Sequence, residues 1–174
     1  MSNPGGPTPG QTVGPFFRYG VEFPGGGHLV PEGSPGSVRL YGTVVDGVGD
    51  PVPDAFLELW QADASGAIPS AEGSFHRDGE SFTGWGRALT TEAGGYEFFT
   101  VEPGSGFFAV ALFARGLMDR LHTRVYLPER ADDPFLTALD AESRATLVAE
   151  RTPTGLRHDI RMQGDGETVF LAYR

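Results

Sequence analysis

A chain of 174 residues with 39% apolar and 11% aromatic content is long enough to bury the core of one domain and too apolar to be disordered. Its net charge of −10 disfavours nucleic-acid binding, and the lack of cysteine excludes disulfides, thiolate nucleophiles and cysteine-based zinc sites. The 26 glycines and 14 prolines favour many turns, as in an all-β chain.

The first 36 residues are rich in glycine and proline with scattered aromatic side chains, so we expect an extended arm lying on a surface. Its start, MSNPGGPTPG, has neither the basic nor the apolar region of a signal peptide. No apolar run in the chain approaches the ~20 residues of a membrane span. These features predict a cytoplasmic protein that does not enter a membrane.

Residues 37–174 carry the pattern of a single all-β domain. Alternating or continuous apolar runs predict strands, the first of them arranged as a meander. Pro134 after Asp133, and Asp140 before the amphipathic stretch AESRATLVAE, predict two short helices, and a hairpin around GDGE closes the chain. We therefore predict a β-sandwich of about eight strands with a short helical insertion. The runs are VRLYGTVVD, AFLELWQAD, GRALTT, YEFFTV, FFAVALFARG and LHTRVYLP.

The residues alone indicate no active site. No two of the histidines are close in sequence, and His122 and Tyr126 are about 13 Å apart along a straight strand, too far to bind one ion. Ser74 and His76 lack a third partner, and the glycines of GGG do not open a helix as a phosphate loop would. The histidines are His28, His76, His122 and His158.

Several motifs taken together resemble the intradiol ring-cleavage dioxygenases, and within them the two-subunit members that act on protocatechuate. The resemblance runs from about Gln11 to Phe170. It implies a β-sandwich that takes part in cleaving protocatechuate with O₂ between its two hydroxylated carbons, which gives 3-carboxy-cis,cis-muconate. The motifs are DPVPDAFLELWQADASG, GWGRALTTEAGGYEFFTVEPG, LFARG, LHTRVYLP and HDIRMQGDGETVFL.

In that family the catalytic subunit holds Fe(III) with two tyrosines and a His-x-His pair. The positions of the pair fall on Phe107 and Ala109 here, and neither side chain has a lone pair to donate. The loop EPGSG is too short to carry the tyrosine that precedes the pair, and GAIPSAEGSFHRDG contains none. The resemblance therefore implies that the partner beta subunit holds the iron, and that this chain has no catalytic residue and no metal ligand.

The resemblance also implies a substrate pocket at the subunit interface, walled by this chain. QTVGPFF matches the arm that lines the pocket, which assigns Thr12, Gly14 and Pro15 to substrate binding, although Phe16 stands where tyrosine is usual. Arg115 in LFARG matches an arginine that projects toward the substrate. An arginine offers a planar fork of donors to a carboxylate such as that of protocatechuate.

Two alternatives stay open from the sequence. The lack of metal ligands is also compatible with a β-sandwich interaction module that has no enzymatic role. An autonomous dioxygenase would have to recruit His28, His76 or His158 from separate segments.

Overall fold

In a computed structural model the chain forms a sandwich of two β-sheets, which confirms the predicted fold class. The structure describes residues 9–69, 75, 77–78, 80–130 and 132–172. No helix within these ranges is long and apolar enough to cross a bilayer. The strands are β1 (Ser37–Val45), β2 (Phe56–Trp60), β3 (Trp85–Leu89), β4 (Gly95–Val101), β5 (Phe107–Phe113), β6 (Leu121–Tyr126), β7 (Glu150–Thr152), β8 (Gly155–Arg157) and β9 (Ile160–Arg161). The helices are α1 (Phe17–Val21), α2 (Pro134–Thr137) and α3 (Ala141–Ala145), with a 3₁₀ turn at Pro128–Arg130.

Consecutive strands β1 and β2 lie in different sheets, so the predicted meander is wrong at this point. The first sheet has the order β4-β1-β8-β7, with β9 also paired to β1, and the second has the order β3-β2-β5-β6. Strand β1 pairs antiparallel with β4 but parallel with β8 and β9. A period-two pattern indicates which side chains face the core, but it carries no information about which strand lies alongside.

The core lies between the two sheets and takes alternate residues of their strands. Leu40, Val44 and Phe98 from the first sheet are fully buried, as are Leu59 and Phe108 from the second. The burial of apolar surface between the layers is the main force that holds them together.

Both predicted helix caps are confirmed. The Asp133 carboxylate accepts a hydrogen bond from the Phe135 amide, and the Asp140 carboxylate accepts one from the Ser143 amide, each at 2.8 Å. Each cap satisfies an amide that the first turn of a helix leaves without a partner.

Helix α3 ends at Ala145 and is therefore shorter than the amphipathic stretch AESRATLVAE suggested. The next residues run beside β6 instead, where the Tyr126 amide donates to the Leu147 carbonyl and the Ala149 amide donates to the Tyr126 carbonyl. Leu147, Leu136 and Tyr126 form a second buried cluster beneath the helices. Apolar residues that the helical pattern assigned to one helix face are thus buried against a strand.

The carboxyl-terminal segment turns around GDGE as predicted, but it forms a regular strand on one side only. Strand β9 precedes the turn, and after it the Thr168 amide donates to the Arg161 carbonyl without a second strand. The β7–β8 hairpin, in which Thr152 pairs with Gly155, was not predicted. Strands of three residues are too short for a periodic pattern to reveal them.

The arm contains one helical turn, α1, and then joins the edges of both sheets. The Gly26 carbonyl accepts a hydrogen bond from the Arg87 amide of β3, and the Gly27 carbonyl accepts one from the Phe99 amide of β4. A Cβ on Gly26 would lie 2.6 Å from the Arg87 carbonyl oxygen, so the close approach requires glycine. These hydrogen bonds of Gly26 and Gly27 join the arm to the sandwich before residue 36 is reached. The predicted domain boundary at residue 36 stays a prediction.

Candidate functional site

The outer face of the second sheet carries the positions that a metal-bearing strand would use. On β5, Phe107, Ala109, Ala111 and Phe113 alternate with the core residues. The positions aligned to the His-x-His pair are therefore turned away from the core.

The residues at these positions do not fit an iron ion. The Phe107 ring packs against the Tyr126 ring at 5.4 Å between centroids, and the Arg124 guanidinium lies 4.4 Å from its centroid. Ala109 is paired with Trp60 on one side and Arg124 on the other. Phenyl and methyl groups offer no lone pair, and a neighbouring guanidinium repels a cation. Over the described ranges, no three histidine, aspartate or glutamate side chains converge on a point where a metal could bind.

An apolar cavity of about 240 Å³ lies beside this part of β5. Trp60, Trp85 and Ile68 form its walls together with Phe107 and Ala109. Gln61, Thr83 and Ser105 add an amide and two hydroxyl groups to the lining, but among the described residues it contains no histidine, tyrosine, aspartate or glutamate, the side chains that would bind iron.

The histidines named above for an autonomous enzyme have structural contacts where the structure describes them. The His28 ring packs on Phe99 at 4.7 Å, and His158 is buried with Nε2 2.9 Å from the Thr146 carbonyl oxygen. Burial lowers the pKa of His158. His76 and Ser74 lie outside the described residues.

His122 lies on the outer face of β6, beside the guanidinium of Arg120. Its Nε2 accepts a hydrogen bond from Arg120 Nε at 2.9 Å. Partial burial, and secondarily the charge of Arg120, lower the pKa of His122. Its neutral form is therefore favoured, with Nε2 as an acceptor.

At the far end of β5, two segments with predicted binding residues meet. The Gly116 amide donates a hydrogen bond of 2.6 Å to Thr12 Oγ1, which fixes the arm beside Arg115. Arg115 Nε lies 3.2 Å from Asp54 Oδ2 in the turn that precedes β2, and the Arg115 side chain remains 59% exposed. The positively charged Arg115 guanidinium thus lies at the surface between the arm and the second sheet.

The arm covers this end of the sheet through aromatic contacts. The Phe17 ring of α1 lies 5.4 Å from the Phe56 ring, which stacks on Phe113 at 4.4 Å. Arg18 Nη1 donates to the Pro53 carbonyl at 2.8 Å, which ties α1 to the same turn. These contacts hold the arm in place without a partner chain.

Gly14 and Pro15 lie on the exposed side of the arm. The Gly14 carbonyl accepts a hydrogen bond from the Phe17 amide, which begins α1. Apart from its two chain neighbours, no described residue comes within 4 Å of a Cβ built on Gly14. Phe16 and Tyr19 beside them are 79% and 74% exposed. The surface around the two predicted residues is therefore open and aromatic, as a contact surface for another chain would be.

Two charged residues near this end were not predicted as functional. Asp54 was not predicted because its neighbour Arg115 is 61 residues away, and only the register between β2 and β5 brings them together. Glu58 lies on β2 and pairs with Arg87 at 2.6 Å on the outer face.

Comparisons with known proteins agree with this geometry. The protocatechuate 3,4-dioxygenase alpha chain of Pseudomonas putida is 36% identical, over 95% of this chain and 96% of its own length. The alpha chain from Burkholderia cepacia is 37% identical, over 94% and 96%. The beta chain of the Burkholderia enzyme is 27% identical, over 81% of this chain and 71% of its own length.

A solved structure and a family model extend the match. The dioxygenase domain of a dioxygenase carbohydrate-binding fusion from Streptomyces sp. SirexAA-E superposes with a TM-score of 0.55 and 26% identity, covering 90% of this chain and 96% of that one. A family model described as Dioxygenase matches residues 14–130. The chain belongs to the intradiol ring-cleavage dioxygenase family.

Proposed function

We propose that this chain is the non-catalytic alpha subunit of a protocatechuate 3,4-dioxygenase. In this proposal it forms one wall of a substrate pocket at the interface with a beta subunit, in a hetero-oligomer of αβ units in the cytoplasm. The printed names of its relatives support the assignment, since two alpha chains match nearly the whole chain at 36% and 37% identity. The weaker match to a beta chain supports a partner of the same fold.

The observation that carries the proposal is the separation of two sites along β5. The position aligned with a metal ligand, Ala109, and the carboxylate-binding candidate, Arg115, are six residues apart, or about 20 Å along a strand. Arg115 therefore cannot serve a centre at Ala109 of its own chain. With Thr12 of the arm beside it, Arg115 would serve a centre that another chain supplies.

The residues of this chain would bind and orient the substrate. The Arg115 guanidinium would bind the carboxylate of protocatechuate, and Gly14 and Pro15 would present a narrow, stiff stretch of backbone to the aromatic ring. The aromatic surface around Phe16 and Tyr19 would exclude water once the partner covers it.

The chemistry of ring cleavage would belong to the partner. Members of this family depend on iron, and the outer face of β5 does not fit an iron ion. We propose that the beta subunit holds the Fe(III). This chain would then affect the reaction through substrate affinity and water exclusion.

Co-expression with a beta chain from the same organism tests the proposal. We expect the two chains to co-elute in equal amounts, and we expect iron and O₂ uptake with protocatechuate in the complex but not in the isolated chain. Arg115→Ala should raise the KM for protocatechuate at least tenfold, because it removes a charge-assisted hydrogen bond.

Two results would contradict the proposal. Stoichiometric iron and turnover in the isolated chain would make it an autonomous enzyme. Failure to co-elute with an iron-binding homologue would favour an interaction module instead.

A further inference from the structure

We propose that Asp54 is a positioning residue that sets the preference of the pocket for carboxylated catechols by orienting the Arg115 guanidinium. This inference rests on the proposed function. It adds a residue whose side chain acts on the substrate only through Arg115.

The register between β2 and β5 places the two residues opposite each other. Phe56 pairs with Phe113 in the antiparallel ladder. Two residues before Phe56 is Asp54, and two residues after Phe113 is Arg115, so the same register continued past both strand ends aligns them. Both residues lie in turns just beyond the strand ends, where Arg115 Nε and Asp54 Oδ2 are 3.2 Å apart.

The backbone that carries Asp54 is held firmly. The buried Ala55 that follows it donates its amide to Thr90 Oγ1 at 3.1 Å, and its carbonyl accepts from the same hydroxyl at 3.0 Å. Phe56 then stacks on Phe113 with an interplanar angle of 5°. The backbone that carries Asp54 therefore has little freedom to move away from Arg115.

The opposite side of the pair is fixed in the same way. Ala114 is buried, and the Gly116 amide is hydrogen-bonded to Thr12 Oγ1. With the backbone held on both sides of the pair, the remaining freedom lies in the rotatable bonds of the arginine side chain, which Asp54 restricts.

The contact leaves the substrate-binding part of the guanidinium exposed. Asp54 Oδ2 lies next to Nε of Arg115, and the Asp54 side chain is 29% exposed against 59% for Arg115. Because Asp54 contacts Nε, Nη1 and Nη2 are the donors that a substrate carboxylate would meet. A substrate carboxylate can then form two parallel hydrogen bonds with that end.

The removal of Asp54 has two opposing effects on anion binding. It frees the long Arg115 side chain, which must then be ordered again when substrate binds. It also removes a negative charge near the substrate carboxylate. We expect the loss of order to dominate, because the Asp54 charge is already paired with Arg115 and the substrate carboxylate would meet the other end of the guanidinium.

The test uses the complex with the beta subunit and compares protocatechuate with the uncharged 4-methylcatechol. Asp54→Ala should raise the KM for protocatechuate roughly threefold to tenfold, leave kcat nearly constant and leave the KM for 4-methylcatechol unchanged. Asp54→Glu keeps a carboxylate that can pair with Arg115 and should bring the KM for protocatechuate back to within about twofold of the wild type.

Three results overturn the inference while the wild-type complex remains active: no change in Asp54→Ala, equal changes for both substrates, or an Asp54→Glu variant as impaired as Asp54→Ala. If Asp54→Ala does not assemble, Asp54→Ser, whose hydroxyl stops short of Arg115, replaces it under the same criteria. Failure of the proposed function gives a different result, since the wild-type complex would then not turn over protocatechuate.

Discussion

Glu58 and Arg87 form an ion pair between β2 and β3, with Oε1 and Nη2 2.6 Å apart and side chains only 18% and 13% exposed. Arg87 Nη1 also donates to the Val21 carbonyl at the end of α1. One guanidinium thus neutralises a largely buried carboxylate and holds the arm to the outer face of the second sheet.

Arg87→Ala should therefore lower the free energy of unfolding by about 2–4 kcal/mol, because it leaves the charge of Glu58 largely buried and unpaired. Urea unfolding of the isolated chain measures this. Arg39→Ala is the matched control, since the Arg39–Glu97 pair is 37% and 51% exposed and should contribute about 1 kcal/mol or less. Equal losses in the two variants would contradict the role given to burial.

A second prediction concerns the pH dependence of stability. His158 is buried, its Nε2 donates to the Thr146 carbonyl, and its Nδ1 has no hydrogen-bond partner within the part of the chain that the structure describes. Burial lowers its pKa in the folded chain below the ordinary value of about 6.5 that it regains on unfolding. The unfolded state binds the proton more readily, so stability is fully present above about pH 6.5 and is lost as the pH falls toward the folded pKa.

Unfolding curves between pH 5 and 8 check this prediction. His158→Gln should be less stable at pH 8 and should show a shallower fall below about pH 6.5. His122→Gln should also reduce the slope, by less, because His122 is only partly buried. A slope in His158→Gln equal to that of the wild type would assign the acid sensitivity to other groups.

A third prediction tests the contact between β1 and the segment after β8. A Cβ on Gly42 would overlap the His158 carbonyl oxygen, which also accepts a hydrogen bond from the buried Tyr96 hydroxyl at 2.6 Å. Gly42→Ala should cost about 3 kcal/mol or more, because backbone must move on both sides. Gly20→Ala is the control, since open space surrounds Gly20 within α1 and alanine favours helix there. Similar melting temperatures in both variants would show that the strands separate without cost.

A fourth prediction concerns the arm. Thr12→Val removes the acceptor of the Gly116 amide and should weaken the docking of residues 9–16 by about 1 kcal/mol. In the complex with a beta subunit, this should raise the KM for protocatechuate a few-fold. Thr12→Ser keeps the hydroxyl and should behave like the wild type. Faster proteolysis of the arm in Thr12→Val than in the wild type would support the role of the Thr12 hydroxyl in docking the arm. An equal rate of proteolysis would contradict that role.

The sequence predicted the sandwich well because alternation is a local signal. Leu40 and Val44 are two periods of the alternation apart on β1, and both face the core as that spacing indicates. Asp133 and Asp140 cap helices, as their side-chain chemistry favours. The partner of β1 was mispredicted because strand pairing depends on contacts between residues far apart in the chain.

In the candidate site, too, residues within recognisable motifs could be named from the sequence, but contacts between distant residues could not. Thr12, Gly14, Pro15 and Arg115 came from the resemblance, and their substrate roles stay predictions. The contact of Arg115 with Asp54 depends on a register that no local pattern encodes. A residue that acts through a cross-strand neighbour is therefore the kind that sequence reasoning misses.

The glycines that join the two sheets have a consequence for solubility. Strands β3 and β4 lie at the margins of their sheets, and an unprotected margin offers its amides and carbonyls to strands of other molecules. The Gly26 and Gly27 carbonyls accept hydrogen bonds from an amide of β3 and an amide of β4, so one short stretch of backbone pairs with both edge strands. A bulky substitution at either glycine would be expected to promote intermolecular β-aggregation before it affects ligand affinity.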